Sequence, residues 1–320
     1  MFEIVFLGTS ASAPSIYRGL TSQLIKHDQY RFLIDCGEGT QRQIMKSGLG
    51  FKRLNRILIT HGHLDHILGL AGLLSTFMRW EMIGEIEIFA GSWALERIQD
   101  LLYGVVLRGV RPPINLQFRE IKEGVIFERD DFTVSAFRVY HRGPDCYGYI
   151  FQERSRRPFL VEEAEALQIP PGPWRRDLVN GKEIILPDGR KIDPSQVLGP
   201  EKQGTKFVHV GDVGRTQGLS NYCRNADALV IEATYLEDEA QLAEDFAHLT
   251  AYQAAELAEG TGVNLLILTH ISRRYRERDV INEARAVFPN SVVARDFDHF
   301  QIKRKRFEHN NLIDAKLRSI

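Results

Sequence analysis
An α/β fold is predicted, with two strand-rich blocks and helices outside each, consistent with an αββα sandwich. Short apolar runs alternate with amphipathic segments over the 320 residues, without an internal repeat or a low-complexity linker. Several of these runs finish on a His or Asp, and in layered α/β folds ligands gather outside the carboxyl ends of strands. The length suits a large core: roughly 75% of the unfolded chain's surface can leave water, in one large domain or two small ones.

Met1 to Leu7 is read as the first strand, because it turns at Gly8 and carries no basic leader. Gln23 to Ile25 and Arg31 to Ile34 predict a hairpin around His27-Asp28-Gln29, followed by a helix from Gly39 to Lys46. The apolar run Arg56 to Thr60 predicts a strand leading into His61, with a helix after His66. Ile86 to Phe89 reads as strand, Ala94 to Leu102 as helix, and strands are expected near Leu116, Val125 and Val134. In the second block, Lys206 to Gly211 and Leu265 to Thr269 read as buried strands, and helices over Ala251 to Glu259 and Val280 to Val287 flank the latter. Residues 153 to 204 break this rhythm, since connections longer than ~15 residues are uncommon in compact domains and are usually functional or disordered. This segment holds a helix, Val161 to Leu167, a proline-fixed stretch running into Trp174-Arg175-Arg176, and a small hairpin around Asp188-Gly189.

Candidate chemistry begins at His61-Gly62-His63-Leu64-Asp65-His66, where four side chains able to ligate a metal fall within six residues. Alternate residues of an extended segment point the same way, so His61 and His63 can hold one ion and Asp65 and His66 can reach a second. Three later runs end alike: Phe132 to Tyr140 enters His141, Lys206 to Gly211 enters Asp212, and Leu265 to Thr269 enters His270. Any one of these is weak alone; together they describe a single mouth lined with metal donors.

Composition excludes little. Lys and Arg total 41 against 42 for Asp and Glu, so a formal charge of −1 gives no global attraction to a polyanion, and RNA binding would depend on local basic patches. The odd number of cysteines, Cys36, Cys146 and Cys223, and the lack of a C-x-x-C argue against a disulfide framework or a cysteine zinc site, and favour a reducing cytoplasm. No apolar run approaches the ~20 residues of a membrane span.

The chain resembles the metallo-β-lactamase superfamily, whose H-x-H-x-D-H signature is met by His61, His63, Asp65 and His66 and whose later ligands are matched by His141, Asp212 and His270. Within it, the chain is similar to the ribonuclease Z family, through Phe6-Leu7-Gly8-Thr9, Asp35-Cys36-Gly37-Glu38-Gly39-Thr40-Gln41, Ile169-Pro170-Pro171-Gly172-Pro173 and Leu268-Thr269-His270-Ile271-Ser272-Arg273-Arg274-Tyr275. The resemblance implies a zinc-dependent endoribonuclease that removes the 3′ trailer from precursor tRNA by metal-activated water attack, leaving a 3′-hydroxyl. It also implies a metallo-β-lactamase-type αββα sandwich spanning 1–320, with residues 153–204 as an inserted exosite arm that holds tRNA, and a homodimer in which one subunit's arm serves the other's site.

The donors would then hold two Zn2+ per subunit, with Mn2+ or Fe as alternatives: His61, His63 and His141 on one ion, Asp65, His66 and His270 on the other, and Asp212 between. Asp65, inside the ligand run, is the residue expected to orient or deprotonate the nucleophile. His248, in an H-x-T segment like the family's, is the expected proton donor to the leaving ribose oxygen, with Glu232 orienting it. Trp174, Arg175 and Arg176 of the arm are RNA-binding candidates, as are Arg273 and Arg274 beside His270. His209 is expected on the far face of its strand, His27, His299 and His309 in turns or the tail, and Lys303 to Arg306 in a solvated basic tail.

Leu64, Val213 and Ile231 depart from the family's usual Gly, Thr and His, and are expected to reshape the pocket and the groups behind the ligands. An alternative activity is therefore a dinuclear metallohydrolase of small phosphodiesters or other esters. Non-catalytic RNA binding is disfavoured, because a binding module has no chemical need for a nucleophile-orienting carboxylate among six other donors.

Overall fold
The structure, a computed structural model, describes residues 1–80 and 84–313. The chain divides into two compact units, Met1–Gln152 with Thr205–Ile320, and Glu153–Gly204.

In the larger unit the chain first lays down β1 (Phe2–Gly8), β2 (Ser22–His27), β3 (Tyr30–Ile34), β4 (Arg56–Leu58), β5 (Glu85–Ala90) and β6 (Asn115–Glu120). It then builds the second sheet with β7 (Gly124–Glu128), β8 (Phe132–Val139) and β9 (Cys146–Glu153). After the inserted hairpin β10 (Ile184–Ile185) and β11 (Lys191–Ile192), that sheet is extended by β12 (Lys206–His209), β13 (Ala228–Glu232), β14 (Leu266–Thr269) and β15 (Ser291–Val293). The chain finally returns to the first sheet with β16 (Asp298–Lys303) and β17 (Arg306–Asn311). The orders are β17-β16-β1-β2-β3-β4-β5-β6 and β15-β14-β13-β12-β9-β8-β7. Within each sheet a parallel set, β3 to β6 and β12 to β15, carries most of the carboxyl ends that build the site, and β8 supplies one more.

Alternation along the strands explains the layers. In β1, Phe2, Ile4 and Phe6 join an apolar layer between the sheets with Phe32, Tyr149, Phe151, Phe207, Val230 and Phe300. Val5 and Leu7 point the other way, into a core made with Leu70, Leu73, Leu74 and Phe77 of α3 (Gly69–Trp80) and with residues of α1 (Thr40–Ser47) and α4 (Ser92–Gln99). Between α1 and α3 lies α2 (Leu64–Ile67), one turn long. On the second sheet, Val208, Leu229, Ile231, Leu266 and Leu268 face α9 (Ala251–Thr261) and α10 (Glu277–Val287). Strands buried on both faces read as unbroken apolar runs, as these do.

The smaller unit contains α5 (Val161–Ala166), α6 (Pro173–Val179) and the β10–β11 hairpin. Ala164, Ile169, Leu178, Ile184, Leu186, Ile192 and Val197 form its own apolar cluster. Arg156 and Lys202 exchange backbone hydrogen bonds of 2.9 and 2.8 Å, and a Cβ on Gly204 would lie 2.3 Å from the Glu153 carbonyl oxygen, so the two ends of the insertion run side by side.

Some local expectations are corrected. Lys303 to Arg306 is not a solvated tail: it closes the β16–β17 hairpin, and Lys305 donates its N–H to Asp227 at 2.7 Å. His299 and His309 lie on those strands, where His299 pairs with Glu3 and His309 stacks on Phe300. His27 ends β2, buried and stacked on Phe132 at 4.5 Å. Pro173 starts α6 instead of fixing a loop, because proline at the first helical position loses no hydrogen bond. Five strands went unread: aromatic β9, wholly buried β13, and β15, β16 and β17 toward the end of the chain. Among the described residues no helix is long and apolar enough to cross a membrane.

Candidate metal centre
Six strand ends deliver the site. Beyond β4, Ile59 and Thr60 lead to His61 and His63, and α2 presents Asp65 and His66. His141 follows β8, Asp212 follows β12 through Gly211 at φ 74°, and His270 follows β14 at φ 55°, a left-handed conformation uncommon for a residue with a Cβ. Asp35 follows β3, and Glu232 closes β13.

The donor atoms converge in two groups. His61 Nε2 lies 2.8 Å from His63 Nδ1, which lies 3.3 Å from His141 Nε2. Asp65 Oδ2 lies 3.7 Å from His66 Nε2 and 3.6 Å from His270 Nε2. Asp212 Oδ2 stands between the groups, 3.3 Å from both His66 Nε2 and His270 Nε2, 3.8 Å from His61 Nε2 and 3.9 Å from His141 Nε2. Each triad keeps its ligand atoms within 4.8 Å of one another.

The groups behind the donors aim them. His66 Nδ1–H donates to Asp35 Oδ2 at 2.8 Å, and the Asp35 carboxylate also takes the N–H and hydroxyl of Thr60, which in turn bonds His61 Nδ1 at 3.0 Å. His270 Nδ1 bonds Thr234 Oγ1 at 2.9 Å, and that hydroxyl donates to Glu232 Oε2 at 2.5 Å. His141 Nδ1 donates to the Ala247 carbonyl at 2.7 Å. With Nδ1 occupied, each of these four rings turns its Nε2 lone pair into the cavity, as a metal requires. His66 Nε2 and His270 Nε2 are buried without a hydrogen-bond partner, which a cation would satisfy.

Electrostatics point the same way. Burial opposes charge on His66, yet Asp212, Asp35 and Asp65 outweigh it and raise its pKa well above the ordinary value. The same three carboxylates attract a cation to this spot. Burial also opposes ionisation of Asp65, but His66 and His270 hold it below the usual carboxylate range; Asp212 is held well below by His270 and His66. Burial pushes His61 well down and His63 down to about 4, so both offer lone pairs at neutral pH.

A cleft of about 390 Å³ opens onto the donors, lined by Ser12, Asp65, Arg97, Arg142 and His248 among others. Ser12 N–H donates to Asp65 Oδ2 at 3.1 Å. His248 Nδ1–H donates to Glu232 Oε1 at 2.8 Å; Glu232 is fully buried and also takes the Val213 N–H at 2.8 Å. Burial alone would lower the His248 pKa, and the Glu232 carboxylate overcomes this and raises it. Thr250, two residues on, caps α9 together with Gln253.

Of Leu64, Val213 and Ile231, only Leu64 lines the cleft. Ile231 and Val213 face the outer core, and Val213 reaches Glu232 only through its backbone, so of the expected changes only the one to the pocket, at Leu64, has a side chain in place. His209 bonds Gln23 at 3.1 Å across the sheets, outside the donor groups. The RNA candidates differ in availability. Trp174 packs on the inserted unit's own core, Arg175 donates twice to the Ile169 carbonyl, at 2.9 and 2.7 Å, and Arg176 is exposed. Arg274 pairs with Glu239 at 2.6 Å, whereas Arg273 is exposed and has no carboxylate partner among the described residues. Asp35, Thr60, Thr234, Arg97 and Arg142 escaped sequence reasoning; Asp35 alone carried a signal, as a carboxylate at a strand's carboxyl end.

Two facing mixed sheets, helices outside, and this donor set at the strand ends define a metal-dependent enzyme of the metallo-β-lactamase fold. Residues 188–271 match the family model of the beta-lactamase superfamily domain, and residues 2–158 match that of Anti-Pycsar protein Apyc1. Ribonuclease Z of Bradyrhizobium diazoefficiens is 45% identical over 302 residues, 94% of this chain and 100% of that protein. Ribonuclease Z of Archaeoglobus fulgidus is 38% identical over 94% of this chain and 98% of its own length. The crystal structure of the short form of human tRNase Z superposes with a TM-score of 0.67 at 26% identity, covering 94% of this chain and 99% of that one. The chain belongs to the ribonuclease Z family.

Proposed function
We propose that this chain is a zinc-dependent endoribonuclease that removes the 3′ trailer from precursor tRNA and leaves a 3′-hydroxyl. One observation carries the reading: a complete donor set with an adjacent His248–Glu232 pair, in a chain alike to ribonuclease Z over nearly its whole length. His61, His63 and His141 would hold one ion, Asp65, His66 and His270 the other, and Asp212 would touch both. Imidazole and carboxylate donors suit zinc, two per subunit, and also admit manganese or iron.

When bound, the ions supply Lewis-acid polarisation of the phosphoryl oxygens and activation of the attacking water. Asp65, fixed by the Ser12 N–H and facing the cleft, orients that water and accepts its proton. Protonated His248, its Nδ1 held by Glu232, turns Nε2 toward the cleft and gives a proton to the departing ribose oxygen. Glu232 positions His248 and, through Thr234, also His270, so one carboxylate ties the acid to a ligand. The inserted unit, 153–204, is the arm that holds tRNA, in a homodimer whose arms serve opposite sites; light scattering tests the dimer. Three buried, unpaired thiols suit the cytoplasm, where we place the protein.

The test is to map the cut on a 3′-extended precursor tRNA with the zinc-loaded protein and with Asp65→Ala. A cut just after the discriminator base, a 3′-hydroxyl product, and loss of more than about 100-fold in the variant with its metal retained are expected. An inert precursor beside brisk hydrolysis of a small phosphodiester would keep the metal centre and move the substrate elsewhere.

A further inference from the structure
Two guanidinium groups outside the proposed chemistry enter the metal-donor cleft: Arg97 from α4, and Arg142 directly after His141. Each lies over an aromatic ring. Arg97 Cζ is 5.4 Å from the Trp93 centroid and Arg142 Cζ is 5.3 Å from that of Phe246. Among the described residues neither has a carboxylate partner, whereas Arg18, Arg56, Arg274 and Arg295 all do.

Arg142 is exposed and Arg97 half-buried, so both charges are open to the cleft. Four carboxylates stand in and behind the centre, Asp65, Asp212, Asp35 and Glu232, and would match the charge of two divalent ions, so beside a loaded centre the two guanidiniums would be left to meet phosphates next to the one at the donors. The cleft is also longer than one phosphate: Arg142, Ser12 and His248 line both it and a second cleft of about 370 Å³ that runs on to Arg273 and Arg274.

The platform under Arg97 is built for rigidity. A Cβ on Gly62 would lie 3.1 Å from Trp93 Cε3, and one on Gly143, at φ 143°, would lie 2.7 Å from Trp93 Cζ3, so the Cε3–Cζ3 edge of the indole rests against bare backbone at two glycines. Trp93 N–H and Ser92 Oγ–H both donate to Asp145 Oδ2, at 3.1 and 3.0 Å. The indole meets the His63 ring edge-on at 5.7 Å. A stacked guanidinium loses less freedom on meeting a phosphate than a free one does.

We propose that Arg97 seated on Trp93 and Arg142 seated on Phe246 grip RNA phosphates neighbouring the scissile one, so that the site selects a polynucleotide strand over an isolated phosphodiester. This rests on the ribonuclease reading above.

The test compares wild type, Arg97→Ala, Arg142→Ala and the two Lys variants, all zinc-loaded, in three assays: precursor cleavage, hydrolysis of bis(4-nitrophenyl) phosphate, and salt-dependent binding of a short single-stranded RNA. Each Ala variant should raise the precursor KM about tenfold with kcat within a few-fold, and lower the ratio of kcat/KM on precursor to that on the small diester to match. The slope of log K against log salt should fall by about 0.7 per arginine removed, and the Lys variants should restore the slope but not the full KM. An unchanged slope and KM, or equal losses on RNA and small diester, would overturn the grip. Wild type that hydrolyses only the small diester would defeat the precursor-tRNA reading instead, while the binding slope still decides the grip.

Discussion
At the scale of single residues, the proposed metal centre depends on a second ring of polar groups that fixes which nitrogen His61, His66, His141 and His270 offer. Asp35 is the clearest case, since one carboxylate orients His66 directly and His61 through Thr60. Asp35→Ala should weaken metal binding 10- to 100-fold, read by competition with a chelator, and an unchanged dissociation constant would contradict the role. His248 carries a second prediction. His248→Ala should slow cleavage of unactivated RNA by roughly 10²–10⁴ but hydrolysis of a 4-nitrophenyl ester much less, because a good leaving group needs little proton donation. Equal losses on both would make His248 structural. The donors were legible because chemistry demanded His and Asp at strand ends. Arg97 and Trp93 were not: they sit in the last and first turns of α4, and nothing local separates an arginine stacked beside a cluster of metal donors from an ordinary solvated one.

At the scale of elements, backbone closeness at glycines sets where the ligand-bearing turns lie. A Cβ on Gly69, the first residue of α3, would lie 2.0 Å from the Gly37 carbonyl oxygen, and Gly69 N–H donates to the Cys36 carbonyl at 2.8 Å. Gly69→Ala should therefore push α3, and with it Asp65 and His66, away from the β3 turn. The expected loss is about 1–3 kcal/mol in urea unfolding, with reduced zinc content. Gly104→Ala is the control: a Cβ there meets nothing within 4 Å, and the change should be neutral or stabilising by up to about 1 kcal/mol. A wild-type midpoint and full zinc content for Gly69→Ala would contradict the account. Elements with a clear period were readable, as β1, β2 and β3 show. What escaped depended on distant pairing: β13 is short and buried on every side, and the basic Lys303–Arg306 turn became a hairpin only because β16 finds β1, nearly three hundred residues earlier in the chain.

At the scale of the whole molecule, the two-block pattern along the chain became two facing sheets, with the one unforeseen step that the last strands return to the first sheet. The long insertion was legible as a break in rhythm, and it has its own apolar cluster and adjacent ends. Replacing residues 154–203 with a short Gly-Ser linker should leave metal content and small-diester hydrolysis in place and cost more than about 100-fold in kcat/KM on precursor tRNA. Retained precursor cleavage would remove the arm from recognition. Anomalous diffraction from crystals of the zinc-loaded protein tests most directly the claim on which everything else depends. Two peaks per chain are predicted, one at His61, His63 and His141 and one at Asp65, His66 and His270, with Asp212 in contact with both. A single peak, or a pair of ions that leaves Asp212 or His270 uncoordinated, would contradict it.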